Sequence, residues 1–242
     1  MSSRVHIYKV HSPSKDKLET LRTLLLAFGE SSTIVFLNYR DAVERVATYL
    51  TGAGFTVSFF HGGLEQKQRE DALYKFSNGS ANVMVGTDLA SRGLDIPNIA
   101  HIVHYHLPEG EDGYIHRVGR TARWDACGNA YFILGPDEHI PEYVTDEVAD
   151  YPLDSMEEGV QPPKPTMATL YIGKGKKDKL SKGDIVGFIC KKGNLNSGDI
   201  GRIDVNERFT YVAVRREQIP HLLPMVSGEK IKGLKTIVEL VR

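Results

Sequence analysis

The sequence predicts an α/β protein in two parts: a parallel sheet covered by helices on both faces, followed by a small α+β domain. Two observations carry this. Through the first 135 residues, apolar runs of strand length alternate with helical patterns, which is how a parallel sheet buried on both sides reads. After residue 165 the elements follow the order β-α-β-β-α-β, that of a ferredoxin-like sandwich.

In the first part the expected strands are residues 33–37, 57–60, 83–86, 101–105 and 130–134, with helices over 41–51 and 66–76. Such sheets bind ligands in the loops beyond the carboxyl ends of their strands. Polar residues gather in several of those loops: Asn38 and Arg40, His61 to Gly63, and Thr87 to Asp95. In the second part the expected strands are 168–172, 200–204, 211–214 and 236–240, with helices over 183–190 and 217–225.

With 242 residues, 41% apolar and 25% charged, the chain has material for one large or two modest cores. No apolar run approaches the roughly 20 residues that cross a bilayer, and the first ten residues lack the apolar core of a signal peptide. The expectation is a cytoplasmic monomer with no membrane contact. Cys127 and Cys190 stand isolated, which argues against a disulfide framework or a zinc site.

The net charge of −1 hides a segregation. From Pro165 to Arg242, 15 Lys and Arg stand against 8 Asp and Glu, while the rest of the chain carries 15 against 23. The C-terminal third therefore looks built to meet a polyanion. Residues 137–159 hold nine acidic residues and no Lys or Arg, and Gln161, Pro162, Pro163, Lys164 and Pro165 follow. Prolines hold a chain extended, so the predicted organisation is a domain over 1–145, an acidic, proline-rich linker over 146–165 and a domain over 166–242.

Three constellations carry chemistry. At about 100° per residue, His116, Arg120 and Arg123 project from one helical stripe, where they repel one another unless an anion lies between them. Arg forks match phosphate oxygens and can stabilise charge during phosphoryl transfer; the other reading is a solvated basic face. Thr87, Asp88, Arg92, Gly93 and Asp95 place carboxylates, a hydroxyl and an arginine in one loop after a strand, fit to touch a ribose and a phosphate, or simply a capped βα turn. His61-Gly62-Gly63 followed by Gln66 and Arg69 opens a helix, where backbone amides offer an anion site; glycine turns before helices are also common.

Taken in order, residues 34–40, His61-Gly62-Gly63 with Gln66 and Arg69, 87–95 and 116–123 closely resemble the motifs of the second RecA-like domain of DEAD-box RNA helicases. The resemblance implies that Asp95 and Gly93 lie against the ribose of ATP, that Arg120 and Arg123 reach its γ-phosphate, and that His116 communicates with an N-terminal RecA-like domain. It implies that Arg40, Gly62, Gly63, Gln66, Arg69, Thr87 and Arg92 line or support an RNA backbone track. Ala122 stands where many relatives have Gly, and Trp124 has no counterpart to suggest a role.

Residues 170–180, 183–185, 201–205, 211–214 and 228–233 resemble the RRM-like RNA-binding module of the DEAD-box protein A group. That group is associated with a hairpin of the peptidyl-transferase region of 23S ribosomal RNA, which implies a role in large-subunit assembly. Tyr171 and Tyr211 fall where such a sheet presents stacking aromatics, but Glu207 and Arg208 replace the basic residue and Gly expected nearby, so platform and core both remain open. Lys174, Lys176, Lys177, Lys179, Lys230, Lys232 and Lys235, with Arg215 and Arg216, are the expected phosphate contacts.

ATP hydrolysis needs a phosphate-cradling loop with its Lys and carboxylates holding Mg²⁺. Neither signature is in the sequence, nor is Asp-Glu-Ala-Asp, so the triphosphate and Mg²⁺ are expected on an N-terminal domain and this chain alone is expected to be inactive. Three readings follow: half of an RNA helicase, an autonomous RNA-binding adaptor, and a protein-docking module. Docking alone does not call for an arginine face together with a ribose carboxylate.

Overall fold

A computed structural model describes residues 5–91, 99–120, 128–155 and 158–242. The chain divides into two compact units, one of Met1–Leu73 with Asn82–Lys164, the other of Tyr74–Ala81 with Pro165–Arg242.

The first unit runs β1 (Val5–His11), α1 (Leu18–Phe28), β2 (Thr33–Phe36), α2 (Arg40–Gly52), β3 (Val57–Phe60), α3 (Gln66–Ser77, its last turn in the other unit), β4 (Val83–Gly86), β5 (His101–His104), α4 (Glu111–Val118), β6 (Gly128–Leu134) and β7 (Val148–Asp150). All pairings are parallel, in the order β3-β4-β2-β5-β6-β1-β7. Every residue of β2 and β4 is buried, which is why these strands read as unbroken apolar runs. The sheet packs Val35, Val85, Val103 and Ile133 against Leu21, Leu24 and Leu25 of α1 and Val43, Val46 and Leu50 of α2.

Two strands go beyond the sequence reading. β1 mixes His and Lys with Val and Ile and is buried at only two positions, so it forms no apolar run. β7 lies inside the acidic stretch expected to be linker; its three residues pair with β1, so that stretch begins as the sheet's edge.

Lys17, at the entrance to α1, is buried, and its ammonium donates to the carbonyls of Tyr105 (2.8 Å) and Ile133 (2.7 Å) while pairing with Glu138 (2.5 Å). Burial lowers the Lys17 pKa, and Glu138 opposes that shift. One ammonium thus fixes the carboxyl ends of β5 and β6. Gly86 closes β4 where a Cβ would lie 2.8 Å from Ala90 Cβ and 3.1 Å from the Phe60 carbonyl, so glycine lets the chain turn there into the short 3-10 turn Asp88–Ser91.

The second unit is β8 (Met167–Ile172), α5 (Lys182–Gly193), β9 (Ile200–Val205), β10 (Thr210–Arg215), α6 (Ile219–Val226), a hairpin of β11 (Lys230–Ile231) and β12 (Leu234–Lys235), and β13 (Val238–Leu240). The antiparallel order β13-β8-β10-β9, with both helices on one face, is the expected ferredoxin-like sandwich. Ala168, Leu170, Ile172, Val212 and Val214 meet Ile185, Phe188 and Ile189 of α5 and Leu222 and Val226 of α6. A capping box starts α5: Ser181 Oγ accepts from the Asp184 amide (3.2 Å), and the Asp184 carboxylate accepts from the Ser181 amide (2.9 Å).

The opposite face of this sheet is covered by the unit's own Tyr74–Ala81 segment. Tyr74 stacks on Tyr211 at 4.4 Å, its hydroxyl donates to Asn206 Oδ1 (2.9 Å), and Asn78 Nδ2 donates to Thr169 Oγ1 (2.9 Å).

Gly175 offers a test of this packing. A Cβ there would overlap the Asn206 carbonyl and crowd the Phe209 amide, so Gly175→Ala is expected to destabilise the second unit by about 1–3 kcal/mol. Nothing lies near the corresponding position of Gly187 in α5, and Gly187→Ala is expected to stabilise by roughly 0.5–1 kcal/mol. Urea unfolding of the two variants, with opposite shifts in midpoint, checks both.

Candidate functional site

The site is organised around a charge that does not reach solvent. Arg117, on α4, is fully buried. Its Nε and Nη2 donate to the Asp88 carboxylate (2.5 and 3.1 Å), Nη2 also donates to Asn38 Oδ1 (2.7 Å), and Nη1 donates to the His106 carbonyl (2.9 Å). The guanidinium lies over the Phe36 ring, 5.2 Å from its centroid. The loops after β2, β4 and β5 are thereby pinned to α4 at one point. Asn38 is held further: its amide donates to His106 Nδ1 (2.9 Å) and its Nδ2 to the Leu107 carbonyl (3.0 Å).

Histidines complete the cluster. His104 is fully buried, accepts at Nδ1 from Arg117 Nη1 (3.4 Å) and stacks on Phe132 at 4.4 Å. Burial, then the Arg117 charge, hold its pKa well below 6.5. Burial also lowers His106, with Lys17 and Arg117 adding to the effect, and burial alone brings His101 down to about 4. The sequence reading singled out 116, 120 and 123 and passed over 117. The available signal was its spacing: Tyr114 and Arg117, three apart, are the buried residues of α4.

The structure brings several expected site residues together. Arg40, at the start of α2, lies over the glycine turn after β3; a Cβ on Gly62 would sit 2.8 Å from its Nη2, and one on Gly63 3.6 Å from its Nη1. His61 shapes that turn. The Gly63 amide donates to His61 Nδ1 (3.0 Å), which leaves the ring proton on Nε2 to donate to Glu44 (2.9 Å). One turn into α3, Arg69 Nη2 donates to Gln66 Oε1 (3.0 Å), so these two support each other. Thr87 heads the turn after β4, its carbonyl accepting from the Ala90 amide (2.9 Å).

His116 is exposed on the last turn of α4, and Arg120 lies in the turn beyond, its amide donating to the Arg117 carbonyl (3.2 Å). α4 ends at Val118, so Arg120 lies just beyond the helix that carries His116. Arg92, Gly93, Asp95 and Arg123 lie outside the described residues.

In the second unit, Lys176, Lys177 and Lys179 are exposed on the turn after β8, and Lys230, Lys232 and Lys235 on the β11–β12 hairpin. Lys232 Nζ joins the two by donating to the Lys179 carbonyl (2.8 Å), with Asp184 at 3.4 Å. Lys174 faces Asp178 at 4.0 Å, and Arg215 faces Asp199 at 3.6 Å. Tyr171 is partly exposed. Tyr211, an RNA-binding candidate for which the sequence leaves stacking platform and core both open, is fully buried, stacked under Tyr74. Arg216, expected at phosphate, donates to the carbonyls of Pro165, Met167 and Ser80, which fixes the start of β8. Among the described residues no cluster of His, Cys, Asp and Glu could hold a metal, and no helix is long and apolar enough to cross a membrane.

Residues 16–125 match the helicase conserved C-terminal domain, and residues 169–240 match the DbpA RNA binding domain. The chain is 34% identical to the ATP-dependent RNA helicase DbpA of Escherichia coli over 95% of its own length and 51% of the relative, and 29% identical to that of Bacillus subtilis over 90% and 51%. Of solved structures, it is similar to the E. coli DEAD-box protein SrmB, with TM-score 0.55, 28% identity and coverage of 66% of this chain and 98% of that one. It is also similar to a DEAD box protein of Methanococcus jannaschii, with TM-score 0.55, 25% identity and coverage of 62% and 42%. The chain belongs to the DEAD-box RNA helicase family. It corresponds to the C-terminal half of a DbpA-like member, a RecA-like helicase domain followed by an RNA-binding domain, and spans about half the length of the curated relatives it matches.

Two outcomes follow from the buried cluster. Arg117→Ala is expected to cost about 3 kcal/mol, near the low end for a broken buried pair because Asp88, at its partly exposed position, recovers water. Asp88→Ala leaves the guanidinium unpaired inside and is expected to cost at least as much; a double-mutant cycle in urea should show the two effects to be strongly non-additive. The histidines set a pH dependence. Their folded pKa values lie below 6.5, so the unfolded chain binds more protons between about pH 4 and 6.5, and stability falls as pH drops through that window. His104→Asn should flatten the slope in thermal melts from pH 7.5 to 5.

Proposed function

We propose that this chain is the C-terminal half of an ATP-dependent helicase acting on structured RNA, with the 23S ribosomal RNA of the assembling large subunit as its target. The observation that carries the reading is the pinning of the loops after β2, β4 and β5 to α4 by Arg117, since that one buried group holds Asn38, two residues before Arg40, and lies beside His116 on α4, while Arg40 in turn lies over the Gly62–Gly63 turn. The first surface has the chemistry of a phosphodiester track: a guanidinium above a glycine turn at a helix start. The second presents cations to an anion approaching from outside the unit. An N-terminal RecA-like domain would hold ATP and Mg²⁺, and Asp95, Arg120 and Arg123 would close on the ribose and γ-phosphate; bound ATP supplies the phosphoryl group whose transfer drives strand separation.

The DbpA-type domain supports the choice of RNA. Lys176, Lys177, Lys179, Lys230, Lys232 and Lys235 are exposed on two loops joined by Lys232, a cationic edge fit to follow a phosphate backbone. Ribosomal RNA as the target rests on the resemblance to the DEAD-box protein A group. A titration of the 242-residue chain against a peptidyl-transferase hairpin and a scrambled RNA of equal length tests it: tenfold or greater preference for the hairpin supports the target, and equal affinity removes it. Mixed with ATP and RNA, the chain alone is expected to show no turnover above a buffer blank, and turnover would overturn the division of the ATP site. In the same titration, Lys176→Ala with Lys177→Ala is expected to weaken binding and reduce the salt slope by about one for each phosphate that is no longer neutralised.

A further inference from the structure

Tyr39 is the most exposed large hydrophobic side chain among the described residues, at 59% relative exposure. It precedes α2 in extended conformation, between Asn38 and Arg40. On one side Asn38 is held by His106, Leu107 and Arg117, so it cannot swing. On the other, Arg40 lies across Gly62 and Gly63. The Tyr39 carbonyl accepts from the Val43 amide (3.1 Å), and its ring rests edge-on against His106, with centroids 5.6 Å apart. Leu89, 41% exposed, lies over the same glycine, 3.5 Å from where a Cβ on Gly62 would be.

An aromatic ring on an immobilised backbone, beside a guanidinium and a glycine turn, is the arrangement by which proteins hold single-stranded nucleic acid: the cation takes the phosphate, and the ring takes the face of a base. Because the ring is already placed, stacking costs little conformational entropy. We propose that Tyr39 is an RNA-binding residue of this unit, stacking on one unpaired nucleobase of the strand whose backbone Arg40 grips. The inference rests on the reading that the Arg40–Gly62–Gly63 face takes RNA. Stacking selects for the presence of an unstacked base and not for its identity, so this ring favours single-stranded over duplex RNA without reading sequence.

The experiment uses the 242-residue chain and a single-stranded RNA oligonucleotide carrying 5-iodouridine, irradiated near saturation, with the coupled peptides identified by mass spectrometry. Coupling at Tyr39 is expected, retained in Tyr39→Phe, reduced at least fivefold in Tyr39→Ala, and suppressed by a duplex of the same sequence. Arg40→Ala is the control for the underlying reading and is expected to lower coupling throughout residues 38–63. Coupling elsewhere in that segment but not at Tyr39 overturns the stacking role while leaving the RNA face intact. No coupling within 38–63, or coupling indifferent to Arg40→Ala, overturns the RNA face and the stacking role with it.

Discussion

A guanidinium sealed inside the first unit sets the geometry on which the candidate site depends. Burying Arg117 is costly unless its donors are met, and here they go to a carboxylate, a side-chain amide, a backbone carbonyl and a histidine, with an aromatic ring beneath the plane. The planar fork fits several acceptors that approach from different loops. A lysine at this place would present a single point charge and could not hold Asn38 and Asp88 along fixed directions.

The same logic recurs at the carboxyl ends of β5 and β6, where the Lys17 ammonium holds two carbonyls and Glu138. Parallel sheets concentrate ligand chemistry at the carboxyl ends of their strands, and those ends are also where backbone groups leave the ladder. Two buried cations meet both demands: they satisfy strand-end and loop carbonyls, and Arg117 holds Asn38, two residues before the exposed Arg40. Site residues and supporting residues are therefore neighbours in sequence with opposite burial. Arg117 lies inside, while His116 is exposed.

In the second unit the division of labour falls between faces of one sheet. One face packs on α5 and α6, and the other carries Tyr211 beneath Tyr74. The lysine-bearing edge, two turns joined by a lysine-to-carbonyl bond, is exposed, in keeping with the surplus of cations in this third of the chain.

Sequence alone determined the two-part organisation, the parallel sheet and the sandwich order, because a strand buried on both faces must be apolar throughout and a helix covering it must repeat its apolar residues every three or four positions. It also determined which residue types cluster after which strands, since ligand loops follow strand ends. It could not show β1 or β7: one is half polar, and the other is three residues in an acidic stretch whose pairing partner is more than 130 positions away. Nor could it separate Arg117 from its basic neighbours, or say that α4 stops before Arg120, or that Tyr211 is covered. Each of those depends on which side of an element another part of the chain occupies. Side-chain burial is a property of packing between distant segments, so only the tertiary structure decided that Arg117 supports the site from within while His116, beside it in sequence, faces outward.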